Sequence, residues 1–306
     1  MKVVRFGSRQ DLPAYFDMAC RFRLPKAAWY GRAFRIGDRA AAHVWVGNWR
    51  SMNPNRRLVV VEDSCMPEAV HSRFLPASWL FAGMVDEIWT AEGRGELLPR
   101  PPGEPIYHVT MWRIWLWVRR NGTFVPTIRP PESVFRSADA KMRKLGIPPR
   151  FVTIQPLFDA IYDTHRNGSL NWWGDVCGKL ASVFPVVILG DVGNSGKLTA
   201  PPGAYPLWAE GLTPLESLAV VYRSAAHVGG ATGLTLWAPI FRVPTLAAYA
   251  HWGLRANGST DTRPISFGAP VIWTPLNGDP AGLVEETRNI WSGKAVEKGA
   301  LHASAS

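Results

Sequence analysis

Short apolar runs recur along the chain, each followed by a polar turn and then by apolar residues at helical spacing. They are "KVVRF" (2–6), "LVVVEDS" (58–64), "VDEIWT" (85–90), "FVTIQP" (151–156), "FPVVILGD" (184–191), "AAHVGG" (225–230), "PTLAAY" (244–249) and "APVIW" (269–273). Uninterrupted apolar runs of this length, separated by helices, are the pattern of parallel strands buried on both faces. The expected fold class is therefore α/β, with two doubly wound, Rossmann-like domains. The segment "RPPESVFRSADAKMRKLGIPPR" (129–150) has a proline pair near each end and a charged helical pattern between them. It reads as the link between the halves, so the domains are expected at 1–150 and 151–306. Ligands of such folds bind beyond the carboxyl ends of the strands.

One stretch departs from the alternation. In "HVGGATGLTLWAPIFRVPTL" (227–246) a strand-like start meets Gly229, Gly230 and Gly233 before the helical run "LTLWAPIF". Glycine at a strand-to-helix junction allows a sharp turn or a close approach of the backbone to a ligand. A helix N-terminus at that point can receive an anion. An ordinary tight loop has the same composition, so the stretch alone decides nothing.

Composition narrows the class. The chain has 306 residues, 47% of them hydrophobic, and a mean hydropathy of −0.05, which suits a soluble protein with ample core. No run of 18 apolar residues is free of charge, so no membrane span is expected. Arg5, Arg9 and Asp11 interrupt the N-terminus where a signal peptide would be apolar. Cys20, Cys65 and Cys177 are odd in number and lie in no metal-like spacing, which fits a reducing cytoplasm.

The net charge of +10 is uneven, with +11 on residues 1–150 and −1 on residues 151–306. The first half is thereby expected to face something anionic. "MWRIWLWVRR" (111–120) interleaves tryptophan with arginine, as a nucleic-acid surface can, but no compact basic run or known motif accompanies it. "DVGNSGKLT" (191–199) looks like a phosphate loop, yet it has Asp191 in place of the first glycine and Leu198 in place of the hydroxyl residue. His43, His71, His108, His227 and His251 show no ligand spacing.

With these residues in view, "LWAEGLTPLESLAVVYRSAAHVGGATGLTLWAPIFRVPTLAAYA" (207–250) resembles glycosyltransferase family 9, the heptosyltransferases of lipopolysaccharide core assembly. The helix "GLTPLESLAVV", the pair Thr232–Gly233 and the step Val243-Pro244-Thr245 match that family's pattern in order and spacing. The resemblance implies a GT-B fold, two Rossmann-like domains facing across a cleft. It also implies that Gly230, Thr232, Gly233, Leu234 and Thr235 cradle the diphosphate of a nucleotide-sugar donor, with Thr232 offering its hydroxyl. The family's aspartate and histidine of this loop fall on Ala231 and Leu236.

The opening "VVRFGSRQDL" (3–12) is similar to the family's first strand and loop, and Asp11 falls on its catalytic aspartate. That implies a general base for the acceptor hydroxyl. Capping the helix that begins "LPAYF" is the other role such an aspartate fills. After "FVTIQP", "DTHRNGSLNWWGDV" (163–176) offers Arg166 where the family carries a phosphate-contacting lysine, although a solvated loop arginine reads the same way.

No Asp-x-Asp pair occurs, so the resemblance implies a metal-independent, inverting transferase without a cofactor, with ADP-heptose as the family's donor and an anionic or aromatic acceptor. Two alternatives stand beside it: a degenerate GT-B protein that binds without transferring, and a nucleic-acid-binding protein.

Overall fold

The computed structural model describes residues 2–5, 36–63, 75–91, 106–108, 126–157, 168–190, 195–230, 232–249 and 269–293. The chain forms two compact units, Met1–Pro126 and Thr127–Ser306.

In the first unit, strands β1 (Lys2–Arg5), β2 (Leu58–Asp63), β3 (Glu87–Ala91) and β4 (Ile106–His108) form a sheet in the order β3-β2-β1-β4. Every pairing is parallel, with Val3 opposite both Val59 and Ile106. Helix α1 (Ile36–Met52) and the single turn α2 (Ala77–Leu80) belong to this unit. Ala40, Val44 and Trp45 of α1 are buried, as are Leu58, Leu75, Leu80 and Phe81. His43 is enclosed with them and its Nδ1 donates to the Leu80 carbonyl at 2.7 Å. Burial holds its pKa below the ordinary histidine value.

The second unit carries strands β5 (Val152–Gln155), β6 (Val186–Ile188), β7 (Ala204–Tyr205), β8 (Ala226–Gly229), β9 (Thr245–Tyr249) and β10 (Val271–Pro275). Their order is β7-β6-β5-β8-β9-β10, all parallel. The chain thus builds outward from β5 to one edge, returns, and builds outward from β8 to the other. This is the 3-2-1-4-5-6 order of the doubly wound dinucleotide-binding sheet.

Helices α3 (Glu132–Lys144), α4 (Leu170–Ala181), α5 (Pro214–Arg223), α6 (Gly233–Trp237) and α7 (Pro280–Trp291) complete the unit. Val152, Ile154, Ala226 and Val228 point into one core layer with Trp173, Val176 and Leu180 of α4 and Leu283 of α7. Each fully buried side chain of this kind contributes roughly 1.5–3 kcal/mol. Residues between them, Thr153 and His227, face the opposite side by the two-residue period of a strand, and both are fully buried.

The boundary between units lies at Pro126, not near 150 as the proline pairs suggested. Helix α3 is an integral part of the second unit. Its apolar stripe Phe135, Ala138 and Met142 is buried, and Phe135 meets Tyr222 of α5 edge-on with ring centroids 5.5 Å apart. Lys141 binds Glu216 at 2.9 Å, Lys144 binds Glu210 at 2.7 Å, and Arg223 pairs with Asp139. Pro131 ends nothing: it stands at the N-cap, where a missing N–H costs little. Redrawing the boundary also redistributes charge, because α3 is basic. Residues 1–126 then carry +7 and residues 127–306 carry +3.

Candidate functional site at the β5–β8 switch point

The two central strands of the second sheet, β5 and β8, are where the winding direction reverses. Their last residues, Gln155 and Gly229, are register partners. A crevice beyond the strand ends at such a reversal is where this class of sheet binds ligands. The chain leaves β8 through Gly230, whose N–H donates to the Gln155 carbonyl at 3.4 Å. It then turns tightly, the Thr232 N–H donating to the Gly230 carbonyl at 2.7 Å, a two-residue closure typical of strand ends. Helix α6 starts at once.

Thr232 is the N-cap of α6. Its Oγ1 accepts from the Thr235 N–H at 3.4 Å, lies 2.9 Å from Thr235 Oγ1, and donates to Gln155 Oε1. A hydroxyl has one hydrogen to donate, and here Gln155 takes it. Thr232 therefore shapes the helix start, where the sequence had suggested a hydroxyl offered to a ligand. Leu234 and Thr235 are buried, so their side chains turn inward. Thr232, Gly233 and Leu236 are half-buried. What this loop presents outward is backbone: the first N–H groups of a helix have no partner within it. Helix α6 is short because Pro239 follows, and Trp237 beneath it is fully buried and stacks on Phe241 at 5.5 Å.

Two glycines of the loop have a reason inside the protein. A Cβ on Gly229 would lie 2.3 Å from Thr235 Oγ1 and 2.8 Å from His227 Nε2. A Cβ on Gly230 would lie 3.2 Å from the Leu157 Cβ and 3.4 Å from the Trp173 ring. Trp173 also fixes the neighbouring loop, for the Leu157 carbonyl accepts from Trp173 Nε1 at 3.1 Å and from the Gly168 N–H at 2.9 Å. Leu157 and Gly168, the described residues on either side of segment 158–167, are thereby held together beside the switch point. Arg166 belongs to that segment and lies outside the described residues, as do Ala231 and Asp11.

Beneath the loop lies a residue that the sequence reading set aside for want of ligand spacing. His227 on β8 is fully buried. Its Nδ1 is 3.0 Å from Thr153 Oγ1 and its Nε2 is 3.2 Å from Thr235 Oγ1. Burial pushes its pKa down to about 3, so the ring is neutral at any ordinary pH. Histidine inside the apolar run "AAHVGG" was the signal, since a buried imidazole demands hydrogen-bond partners. Gln155, at the end of β5, was equally legible as a polar residue closing an apolar strand.

Of the phosphate-loop look-alike, residues 191–194 lie outside the described residues. After β6 the described part is a 3-10 turn, Ser195–Lys197, with Ser195 buried and its hydroxyl donating to the Leu189 carbonyl at 2.6 Å. Among the described residues no group of three or more His, Cys, Asp or Glu is placed to hold a metal ion. Nor is any described helix long and apolar enough to cross a membrane.

No family model matches this sequence, and no curated protein matches it. Solved structures do match the fold. A glycosyl transferase family 9 protein from Veillonella parvula is 11% identical, with a TM-score of 0.54 over 94% of this chain and 90% of that one. The E. coli ADP-heptose LPS heptosyltransferase II is 12% identical, with a TM-score of 0.57 over 96% of this chain and 99% of that one. At such identity the likeness is one of architecture, and the chain has the fold of the family 9 glycosyltransferases across both of its units.

Proposed function

We propose that the protein is an inverting glycosyltransferase that moves a sugar from a nucleoside-diphosphate sugar to an acceptor hydroxyl. The observation that carries this reading is the β5–β8 switch point, with the Gly230–Thr235 turn starting a helix beyond it. In this assignment the donor diphosphate lies against the backbone N–H groups of Gly233 and Leu234, where the helix dipole favours an anion. Arg166 is assigned to the same phosphates, on the family resemblance of its position after β5.

The acceptor, anionic or aromatic, belongs to the first unit, which keeps a charge of +7. Asp11 is six residues past the end of β1, and β1 holds the same switch position in the order β3-β2-β1-β4. Acting as general base, it takes the acceptor proton as the oxygen attacks the anomeric carbon. The bond from that carbon to the diphosphate breaks, and its electron pair leaves with the nucleoside diphosphate. N–H donors and Arg166 stabilise that charge without a metal ion.

A heptose donor is favoured by the E. coli neighbour, named for ADP-heptose. Ala231 and Leu236 in the donor turn favour a second reading, a protein that binds nucleotide sugar without transferring it. A cytoplasmic setting goes with either, consistent with the buried free thiol of Cys177.

Calorimetry with ADP, UDP, GDP and CDP tests the donor site. One nucleoside diphosphate is expected to bind, and Gly233→Val, which adds a branched side chain beside the N–H donors, is expected to weaken it at least tenfold while the protein stays folded. Unchanged binding in that variant places the donor elsewhere.

A further inference from the structure

Six polar side chains form a continuous line under the donor turn, running Ser224, Thr153, His227, Thr235, Thr232 and Gln155. The spacings are 3.2 Å from Thr153 to Ser224, 3.0 Å from Thr153 to His227 Nδ1, 3.2 Å from His227 Nε2 to Thr235, and 2.9 Å from Thr235 to Thr232. Thr232 then donates to Gln155 Oε1. Ser224, Thr153, His227 and Thr235 are buried, where a polar atom without a partner is costly.

Counting hydrogens and comparing spacings gives this line a direction. Between His227 and Gln155 there are three contacts. With the ring hydrogen on Nε2 there are three donors to fill them: Nε2–H to Thr235, Thr235 to Thr232, and Thr232 to Gln155 Oε1. With the hydrogen on Nδ1 only two donors remain, and one contact would set two oxygens together with no hydrogen between them. Ser224 donates to the Val221 carbonyl at 2.8 Å. The Thr153 hydroxyl has three acceptors in reach, Ser224 Oγ at 3.2 Å, the Ala226 carbonyl at 3.3 Å and a bare Nδ1 at 3.0 Å, of which Nδ1 is the nearest. Four hydrogens serve the five contacts, so either tautomer leaves one unfilled: the 3.2 Å Thr153–Ser224 pair with the hydrogen on Nε2, or the 2.9 Å Thr235–Thr232 pair with it on Nδ1. The Nε2–H form puts the gap at the longer spacing, beside a serine already bonded to Val221, and polarises the line toward Gln155.

Space for it is reserved by Gly229. A Cβ there would sit 2.3 Å from Thr235 Oγ1 and 2.8 Å from His227 Nε2.

We propose that His227 is a positioning residue of the donor site: as the Nε2–H tautomer it holds Thr235, and through Thr235 and Thr232 it ties the start of α6 to the end of β5. This rests on the donor site proposed above. The imidazole touches no ligand. Its effect is to fix the direction in which the Gly233 and Leu234 N–H groups point, and so to set donor affinity from beneath the loop.

Four proteins test it: wild type, His227→Phe, His227→Gln and Thr235→Val. Phenylalanine keeps the ring volume without a donor, whereas the amide nitrogen of glutamine falls where Nε2 was. Wild type is expected to bind ADP, and His227→Phe and Thr235→Val each to bind it about three- to tenfold more weakly, the range of one or two lost neutral hydrogen bonds. The double variant His227→Phe/Thr235→Val is expected to lose no more than either single one, because both break the same line. His227→Gln restores most of the affinity.

The ring nitrogens of His227 in the ligand-free protein are read by 15N NMR, with Nε2 expected protonated and Nδ1 bare. Wild-type affinity in His227→Phe, additive losses in the double variant, or a proton on Nδ1 would each overturn the inference. If wild type binds no nucleoside diphosphate, the donor-site reading falls instead. The ring tautomer, and its change on Thr235→Val, then still decide whether His227 holds this turn.

Discussion

The hydroxyl of Ser137 on α3 donates to the carboxylate of Glu216 on α5 at 2.5 Å. Lys141 reaches the other carboxylate oxygen at 2.9 Å, and that oxygen also accepts from the Thr213 N–H at 2.7 Å. Burial alone would raise the Glu216 pKa. The hydrogen bonds from Ser137, Lys141 and Thr213 outweigh it and hold the group down at about 2. One carboxylate thus closes the capping box of α5 and fastens α3 to the second unit.

Glu216→Ala is expected to destabilise the second unit by about 2–4 kcal/mol, since it removes a cap and leaves Lys141 and Ser137 without their acceptor. Ser137→Ala should cost about 1 kcal/mol. Urea denaturation followed by tryptophan fluorescence measures both. Equal effects would mean that Lys141 and the cap contribute nothing.

Stability should fall with acid in two stages. A histidine whose folded pKa is depressed stabilises fully above its unfolded value and loses that contribution as pH falls below it. For His227 this window runs from 6.5 down to about 3, and His43 adds to it in the same direction. Glu216, also depressed, gives up its contribution from 4.5 down to about 2. Melting temperatures from pH 8 to pH 4 should therefore decline below 6.5, and His227→Gln should flatten the first stage. A flat profile between pH 7 and 5 would contradict the burial of both rings.

Gly229→Ala tests the packing under the donor turn. Thr235 is buried and cannot swing away from a methyl group 2.3 Å from its hydroxyl. Overpacking of this kind costs about 1–3 kcal/mol. The variant should melt lower and bind ADP more weakly, whereas Gly282→Ala, with open space around its Cα, should do neither.

Cys177 lies in the core layer of α4, and burial raises its thiol pKa to about 12. It should resist iodoacetamide in the native protein at pH 8 and react fully in urea, as peptide mass spectrometry of the segment carrying it would report. Native labelling of Cys177 would mean that α4 opens readily.

Asp11→Asn separates enzyme from binder. Transfer should slow by about 10²–10⁴-fold with donor affinity unchanged, since a general base acts in the transition state and not on the donor. Full activity in this variant would leave Asp11 as a helix cap.

Eight apolar runs announced eight strands, and all eight are present. The two that were missed, β4 and β7, span three and two residues, too short for any period to show. Helix α6 was expected through Phe241, but Pro239 stops it at Trp237. The linker reading failed because charge and proline were given more weight than the Phe135, Ala138, Met142 stripe, which needed a partner. In the candidate site, the turn from Gly230 to Thr235 was legible as a backbone feature. His227 and Gln155 each stood out singly as polar residues in apolar strands. Their joining with Thr153 into one support was not legible, because these contacts link strands far apart in sequence and no local pattern records which polar side chains will meet.

The winding order of the second sheet also sets when its site can come into being. Thr153 on β5 meets His227 on β8, 74 residues later. During synthesis β5, β6 and β7 can assemble first, but one flank of β5 stays unpaired until β8 has emerged. Contacts between such distant segments form late, because closing the intervening chain is entropically costly. The switch-point crevice is therefore among the last parts of the unit to exist, and a chain cut short before residue 226 would hold a partial sheet with an open central edge, a template for association with other chains.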